Sequence, residues 1–145
     1  MIDFSEITEA DVEAVSVIEA ETFSMPWKPA DFLEMISLDY AYYIVAKLDG
    51  EVIGCCGVRN MCGDGEITNV VIKKEHRQKG IGEQMLRYLM DTGRDRGIRR
   101  YTLEVRESNA PARALYEKLG FVCEGVRKGF YERPAEDGLI YWQRD

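Results

Sequence analysis

Apolar runs broken by polar residues predict β-strands along most of the chain. The clearest pair is a hairpin, because the apolar runs at residues 42–48 and 51–58 are joined by Asp49-Gly50. Asp-Gly is a favoured two-residue hairpin turn, since both of its positions tolerate a positive φ. Similar runs predict further strands over residues 3–7, 65–72, 101–107, 121–126 and 139–143.

Apolar residues at helical spacing predict helices between these strands. Thr8 is a candidate N-cap with acidic residues in the turn that follows, and Pro29 stands in the opening turn of a second helix. Gly97 and Gly120 mark the ends of two later helices, because a glycine with positive φ commonly closes a helix. The predicted helices cover residues 10–22, a stretch that starts at Pro29, residues 81–96 and residues 109–118.

The order of these elements predicts a mixed α/β fold with a largely antiparallel central sheet flanked by helices. The last two strands are separated by residues 127–138, a predicted loop that contains Pro134 and an Asp137-Gly138 turn. The 145 residues, 46% of them hydrophobic, are enough for one compact domain over residues 1–145.

Composition and charge narrow the class of protein. No apolar run approaches the roughly 20 residues that span a bilayer. The first residues also lack the basic region and long apolar core of a signal peptide, so we expect a soluble, cytoplasmic protein with no membrane partner. The formal net charge of -7 disfavours nucleic acid as the main partner and favours a cationic one. Such a charge can equally serve solubility alone.

The cysteines and the single histidine do not predict a metal site. Cys55, Cys56, Cys62 and Cys123 lack the paired spacing of metal ligands, and we interpret them as buried free thiols. Adjacent Cys55 and Cys56 should face opposite sides of a strand. His76 stands in a charged run with no nucleophile pattern around it, which favours a solvated turn residue over a catalytic base.

A glycine-containing turn at residues 77–82, Arg-Gln-Lys-Gly-Ile-Gly, is the strongest candidate for chemistry. It follows an apolar strand and opens an amphipathic helix, so its backbone N–H groups and the positive end of the helix dipole could hold a pyrophosphate. A Walker A loop would need Lys-Ser/Thr here, and a dinucleotide fingerprint would need a third glycine where Met85 stands. The alternative is an ordinary strand-to-helix turn in which the glycines serve geometry only.

A second block decides between these interpretations. It runs over residues 103–121 and contains Leu-Glu-Val-Arg followed by Asn-Ala-Pro-Ala-Arg-Ala-Leu-Tyr-Glu-Lys-Leu-Gly-Phe. Together with the turn at residues 77–82 it resembles the acetyl-CoA site of the GNAT acetyltransferases. Two further features are similar to the RimI branch of this family, namely the segment at residues 20–27, which contains Pro26-Trp27, and Tyr131. Members of that branch acetylate the N-terminal alanine of a ribosomal protein.

The resemblance implies a GNAT fold and an acetyl-CoA-dependent acyltransferase that needs no metal. It implies that the pantetheine arm lies along one strand in the manner of an added strand, that the pyrophosphate lies over the turn, and that the Val71 N–H faces the thioester oxygen. Asn109 would bond the pantetheine amide or cap its helix. The implied cofactor-binding residues are Val70, Val71, Ile72, Arg77, Gln78, Lys79, Gly80, Ile81, Gly82, Glu83 and Asn109.

Glu104 is the candidate general base. A free α-amine has a pKa of about 8, so it must lose a proton before it attacks a thioester near neutral pH. Glu104 lies between apolar residues in a predicted strand, where partial burial would raise its pKa toward a useful value. The resemblance implies the same role, directly or through water. The alternative is a solvent-facing residue, or an ion-pair partner of Arg106 or Arg127.

Tyr116 is the candidate acid that protonates the departing thiolate, and packing under the sheet is the alternative. The resemblance also implies an acceptor slot with walls formed by Phe23, Pro26, Trp27 and Tyr131. Each of these residues could instead pack in the core. The implied partner is the N-terminal tail of a ribosomal protein or another peptide amine, bound by a monomer or a weak dimer. Two other functions stay open, namely acetylation of a different amine and a catalytically silent acyl-CoA-binding module.

Overall fold

The computed structural model of the chain describes residues 1–23, 26–132 and 135–144, and within them seven strands and four α-helices are formed. The helices are α1 (Val12–Thr22), α2 (Pro29–Ile36), α3 (Ile81–Asp95) and α4 (Ala110–Lys118). Short 3-10 turns lie at Glu9–Asp11 and Lys74–His76. The strands are β1 (Ile2–Glu6), β2 (Ala41–Leu48), β3 (Glu51–Met61), β4 (Asp64–Ile72), β5 (Arg100–Arg106), β6 (Val122–Tyr131) and β7 (Glu136–Arg144).

The strands form one sheet in the order β1-β2-β3-β4-β5-β7-β6, and every neighbouring pair is antiparallel except β4 and β5. The predicted mixed, largely antiparallel α/β fold is therefore confirmed. The parallel pair is short, because its register covers only Asp64 to Glu66 opposite Arg100 to Thr102. Beyond these residues β4 and β5 are not paired with each other. This gap in the middle of the sheet is where the candidate site lies.

Helices cover both faces of the sheet. Met85, Leu86 and Leu89 of α3 are fully buried in the larger of two apolar clusters. Val15 of α1 and Phe32 of α2 are fully buried in the smaller cluster. Burying side chains of this size contributes about 1.5–3 kcal/mol each, so both helix layers are needed to hold the sheet.

Two tyrosines of the sheet dock α3. The Tyr42 hydroxyl donates to the Leu89 carbonyl at 2.7 Å, and the Tyr101 hydroxyl donates to the Met90 carbonyl at 2.6 Å. Gly93 lies beside both hydroxyls, and a Cβ at this position would overlap the Tyr101 oxygen. Glycine here lets the helix approach the sheet closely enough for both bonds to form. This docking fixes the direction in which the N-terminus of α3 points.

The prediction of a loop at residues 127–138 is wrong. β6 continues to Tyr131 and β7 begins at Glu136, and these two residues are paired. Gly138, predicted in a turn, lies inside β7 and pairs with Arg127. A Cβ there would lie 3.2 Å from the Phe130 ring, so the glycine makes room for aromatic rings rather than for a turn. Pro134 is outside the described residues.

All four cysteines are free thiols as predicted, but the predicted burial is correct for two and wrong for two. Cys55 and Cys56 are fully buried on opposite faces of β3, one in each apolar cluster. Cys62 is exposed in the β3–β4 turn at φ 56°, and Cys123 is exposed on β6 at the edge of the sheet. His76 lies in a 3-10 turn and is partly exposed, as predicted.

The described ranges contain no group of three or more histidine, cysteine or acidic side chains placed to hold a metal ion. No helix in the same ranges is long and apolar enough to cross a bilayer.

Candidate functional site

A bulge in β4 shapes the donor side of the gap. Cys55 of β3 pairs with Val71, whereas Gly57 pairs with Thr68, so β4 contains one residue more than β3 over this stretch. Asn69 lies in the extra length and has φ 57°, a left-handed conformation that asparagine tolerates better than other residues with side chains. A bulge bends its strand and increases the local twist. The end of β4, Val70 to Ile72, therefore follows a different course from β5.

The turn between β4 and α3 has the geometry of an anion cradle. Gln78 and Gly80 both have positive φ, 62° and 78°, and α3 begins directly afterwards with Gly80 as its N-cap. No side chain in the described part of the protein caps this helix. The N–H groups of the first helical turn have no partners within the helix, so they and the helix dipole favour an anion at this point. Gln78, Lys79 and Gly80 are exposed around the opening.

Two charged side chains of the turn have structural partners. The Arg77 Nε donates to the Ile72 carbonyl at 2.7 Å and its Nη2 donates to the Thr22 hydroxyl at 3.2 Å, which ties the turn to the end of α1. The Glu83 carboxylate pairs with Lys118 at 2.9 Å and Arg87 at 3.0 Å, and both bonds lower its pKa. Its negative charge at the helix start is thus matched by two cations.

Gly82 allows a close approach of three elements. A Cβ there would lie 3.4 Å from the Leu115 side chain of α4 and 3.8 Å from the Ile72 side chain of β4. These are ordinary contact distances, so a methyl group fits, whereas a larger side chain would meet the neighbouring elements. Ile81 is buried beside it and anchors the start of α3 in the larger apolar cluster.

Glu104 lies on β5, across the gap from β4. Its side chain is 25% exposed, its Oε1 lies 3.1 Å from Arg127 Nη2, and its Oε2 is buried without a hydrogen-bond partner in the described part of the chain. Burial raises the pKa of Glu104, the Arg127 guanidinium opposes this, and the negative charge of Glu66 adds to the rise. The predicted rise is confirmed, and so is the alternative ion pair with Arg127.

A cavity of about 410 Å³ opens between the strands in front of Glu104. Two ion pairs lie along its walls, Glu104 with Arg127 and Arg59 with Glu66. Glu104 is the predicted site residue in its lining, which is formed by Arg59, Glu66, Ile67, Thr68, Thr102, Leu103, Glu104, Arg127 and Phe130. The cavity therefore presents both signs of charge and one aromatic ring.

Tyr116 is buried in the larger apolar cluster, with 6% of its surface exposed. Its ring packs against Phe121 and Tyr141 at centroid distances of 5.9 and 6.3 Å, so the predicted alternative of core packing is realised. Burial raises its pKa, and the Cys56 thiol and Tyr131 act in the same direction. A phenol in this environment stays protonated at neutral pH and can serve as a proton donor.

The helix that carries Tyr116 starts at a capped end. Asn109 is the N-cap of α4, and its Oδ1 accepts a hydrogen bond from Ala112 N at 3.2 Å. The predicted capping role of Asn109 is confirmed. The far end is closed by Gly120 at φ 93°.

Tyr131 lies close enough to Glu104 for the carboxylate charge to raise its pKa, although burial is the larger cause. The Arg106 guanidinium carbon lies 4.5 Å above the Tyr131 ring. The same guanidinium contacts Glu136 at 3.3 Å and the Glu132 carbonyl at 3.0 Å, which attaches the β6–β7 hairpin to β5. Tyr131 therefore lies near Glu104, whereas Tyr116 packs in the larger apolar cluster, and neither tyrosine lines the cavity in front of Glu104.

The segment after α1 contains three of the residues that were predicted as walls of the acceptor slot. Trp27 packs on Phe32 and Tyr43 at centroid distances of 5.2 and 5.8 Å, and Phe23 at the end of α1 is 38% exposed. Pro26 and Trp27 are partly exposed, whereas Ser24 and Met25 of the predicted motif are outside the described residues. None of Phe23, Pro26 and Trp27 lines the cavity in front of Glu104.

Several residues of the site were not predicted from the sequence. Glu66 and Phe130 enter the cavity only because of the strand order, which no local pattern encodes, and Arg127 was predicted only as an alternative ion-pair partner of Glu104. Glu19 was detectable, since it stands four residues after Val15 and so falls on the buried face of α1. An acidic residue on an apolar helix face is the pattern that would have found it.

Comparisons with known proteins agree with this geometry. A family model described as the acetyltransferase (GNAT) family matches residues 12–121. A Bacillus subtilis protein provisionally named a ribosomal protein bS18-alanine N-acetyltransferase is 40% identical over 133 residues, which cover 91% of this chain and 88% of that protein. The N-alpha-acetyltransferase RimI of Mycobacterium tuberculosis is 30% identical over 137 residues, 90% of this chain and 85% of that protein.

A solved structure shares the whole architecture. The crystal structure of the ribosomal-protein-S18-alanine N-acetyltransferase from Escherichia coli matches with a TM-score of 0.91 at 26% identity, over 99% of this chain and 94% of that one. The sheet and its helices are therefore the GNAT fold that the two sequence motifs predicted.

Proposed function

Because the chain belongs to the acetyltransferase (GNAT) family and is an N-acetyltransferase, we propose that it transfers an acetyl group from acetyl-CoA to the α-amine of a ribosomal protein that begins with alanine. The observation that carries this proposal is the position of Glu104, a partly buried carboxylate across the β4–β5 gap from the proposed donor strand. The names of the relatives support the acceptor.

The donor occupies the β4 side of the gap. The edge of Val70 to Ile72 that faces β5 is free of strand pairing, so the pantetheine amides can add to it as another strand would. The Val71 N–H is the proposed donor to the thioester oxygen. The pyrophosphate lies over the turn of Gln78 to Glu83, where Lys79 adds positive charge and Arg77 holds the turn in shape.

Deprotonation and attack take place in front of Glu104. The acceptor ammonium loses a proton to the carboxylate, directly or through one water, and the neutral amine forms a C–N bond with the thioester carbon. The raised pKa of Glu104 makes it a stronger base than an exposed glutamate. The Arg127 guanidinium holds the carboxylate in the absence of acceptor.

The C–S bond breaks as the tetrahedral intermediate collapses, the amide nitrogen releases its extra proton to solvent, and the CoA thiolate takes the Tyr116 proton. This step gives the CoA thiol and leaves a phenolate that solvent reprotonates. Burial raises the pKa of Tyr116, so the phenol is protonated when the thiolate forms beside it. Asn109 supports the step by fixing the start of α4.

The acceptor is proposed to be a basic peptide tail. The net charge of -7 attracts a cationic chain, and Glu66 and Glu104 place two carboxylates along the cavity. Tyr131, Phe23, Pro26 and Trp27 are the proposed walls around the first acceptor residues.

The test is release of free CoA with a panel of acceptors at fixed acetyl-CoA. The panel contains an alanine-starting peptide from a ribosomal protein, the same peptide with a blocked α-amine, a peptide with another first residue, and a polyamine. Turnover that needs the free α-amine and prefers the first peptide supports the proposal. Faster turnover of the polyamine would assign the enzyme to another acceptor, and no turnover of any amine would leave only acyl-CoA binding.

A further inference from the structure

Glu19 is a buried carboxylate between the two halves of the site. It lies on α1 and is 1% exposed, in a cluster of apolar side chains that includes Val15 and Phe32. Burying a carboxyl group is costly unless hydrogen bonds compensate for lost water. Its contacts therefore show what the residue holds in place.

One oxygen of Glu19 joins two separate segments. Oε1 accepts from the Trp27 N–H at 3.2 Å and from Asn69 Nδ2 at 3.2 Å. Asn69 in turn accepts from the Tyr43 hydroxyl through Oδ1 at 3.2 Å. The chain of bonds runs from the segment after α1, through the carboxylate, to the left-handed residue of the β4 bulge.

Packing alone does not account for this arrangement. The other oxygen, Oε2, is buried and has no hydrogen-bond partner within the described ranges. A residue that served stability only would be expected to satisfy both oxygens or to be apolar, since an unpaired buried oxygen costs about 1–3 kcal/mol. Buried groups that keep such a cost cluster at functional positions.

We propose that Glu19 is a positioning residue for acetyl transfer. Its Oε1 fixes the Asn69 side chain and with it the bulge that aims Val70 to Ile72 into the gap, and through the Trp27 N–H it fixes the acceptor wall relative to that strand. This role rests on the proposed function, which puts the thioester at β4 and the acceptor beside Trp27. Glu19 touches neither reactant and sets the distance between them.

Kinetics of Glu19→Ala and Glu19→Gln give the first test, with whichever amine the wild-type enzyme acetylates. Displacing reacting groups by about 1 Å can cost 10²-fold, so Glu19→Ala is expected to lower kcat/KM for the acceptor by about 10- to 100-fold. CoA affinity should fall by less than kcat/KM for the acceptor, because the proposed pantetheine strand shifts while the phosphate turn is not in the network. Glu19→Gln keeps an oxygen for both N–H groups and should restore most of the rate.

Two further variants keep the test decisive. Asn69→Gly retains the freedom for φ 57° but removes the amide, so it should lose as much activity as Glu19→Ala, and the double variant should lose little more. Ser16→Ala is the matched control, because Ser16 is buried on the same helix and donates only to the Val12 carbonyl. Full activity in a folded Glu19→Ala or Asn69→Gly protein would overturn the proposal.

Amide hydrogen exchange without substrates separates this proposal from the proposed function. Glu19→Ala and Asn69→Gly should speed exchange at residues 68–71 and leave β5 unchanged, while Ser16→Ala should change neither. Unchanged exchange at the bulge would overturn the positioning role even in an active enzyme. Failure of the wild type to acetylate an alanine-starting peptide would instead reject the acceptor and leave the exchange result standing.

Discussion

At the residue scale, the proposed acetyl transfer depends on the Glu104 carboxylate, which pairs with the Arg127 guanidinium and has to accept a proton from the amine. Glu104 is predictable from the Leu-Glu-Val-Arg motif and its apolar neighbours. Its ion pair was an alternative prediction with two candidate partners, and the strand order β5-β7-β6 is what brings Arg127 of β6 within 3.1 Å of it. The direction of its pKa shift follows from burial, and the opposing effect of Arg127 depends on this contact.

Arg127→Gln should move the acid limb of the kcat/KM profile to higher pH. Removing a cation 3.1 Å from Glu104 leaves burial and the Glu66 charge, which both raise the pKa of Glu104. The rate on the alkaline side of the limb should be retained. Lys128→Gln is the control, because Lys128 pairs with Asp137 at 3.2 Å and should leave the limb in place. An unmoved limb in Arg127→Gln would separate Arg127 from the ionisation of the base.

Tyr116→Phe should keep the fold and acetyl-CoA affinity but lower kcat by about 10²-fold, the usual scale for loss of a positioned acid. The ring contacts with Phe121 and Tyr141 do not need the hydroxyl, so thermal unfolding should change little. Tyr40→Phe, at an exposed tyrosine, is the control. An unchanged kcat would make Tyr116 a packing residue and assign thiolate protonation to water.

At the element scale, local patterns predicted those turns whose residues have a single task. Asp49-Gly50 joins β2 and β3 as expected, and Gly97 and Gly120 follow α3 and α4 with positive φ. Asp137-Gly138 was misassigned because the same dipeptide can serve packing inside a strand. The bulge at Asn69 was also not predicted, since its neighbours all read as strand formers.

Gly80→Ala should weaken CoA binding by about tenfold, the equivalent of one hydrogen bond to a charged group. A Cβ at Gly80 meets no protein atom within 4 Å, so it would project into the space proposed for the pyrophosphate. The φ of 78° should also cost about 1–2 kcal/mol of stability. Calorimetric titration with CoA measures the first effect and thermal unfolding the second.

Gly50→Ala is the matched control for this change. Gly50 has φ 89° and equally open surroundings, but it lies in the β2–β3 turn. It should lose similar stability and keep full CoA affinity. Equal CoA affinity in both variants would leave the turn at residues 77–82 without a phosphate role.

At the scale of the whole molecule, the site exists because the sheet opens. The α/β class followed from the order of strands and helices. Two motifs, the glycine-containing turn at residues 77–82 and the block at residues 103–121, indicated the family. The three-residue length of the β4–β5 pairing had no sequence signature, although it creates the gap that brings Glu104 opposite Val70 to Ile72. Long-range strand pairing of this kind depends on how the helices pack against each face of the sheet.

The pH-rate profile of wild type and Glu104→Gln on an alanine-starting peptide tests the central claim most directly. The variant should keep its fold and donor binding, lose about 10²- to 10⁴-fold in kcat/KM near neutral pH, and recover part of the loss as pH rises. The recovery follows because an amine already deprotonated by solution no longer needs the carboxylate. Wild-type rates in Glu104→Gln at pH 7, or a loss that no pH relieves, would contradict the account.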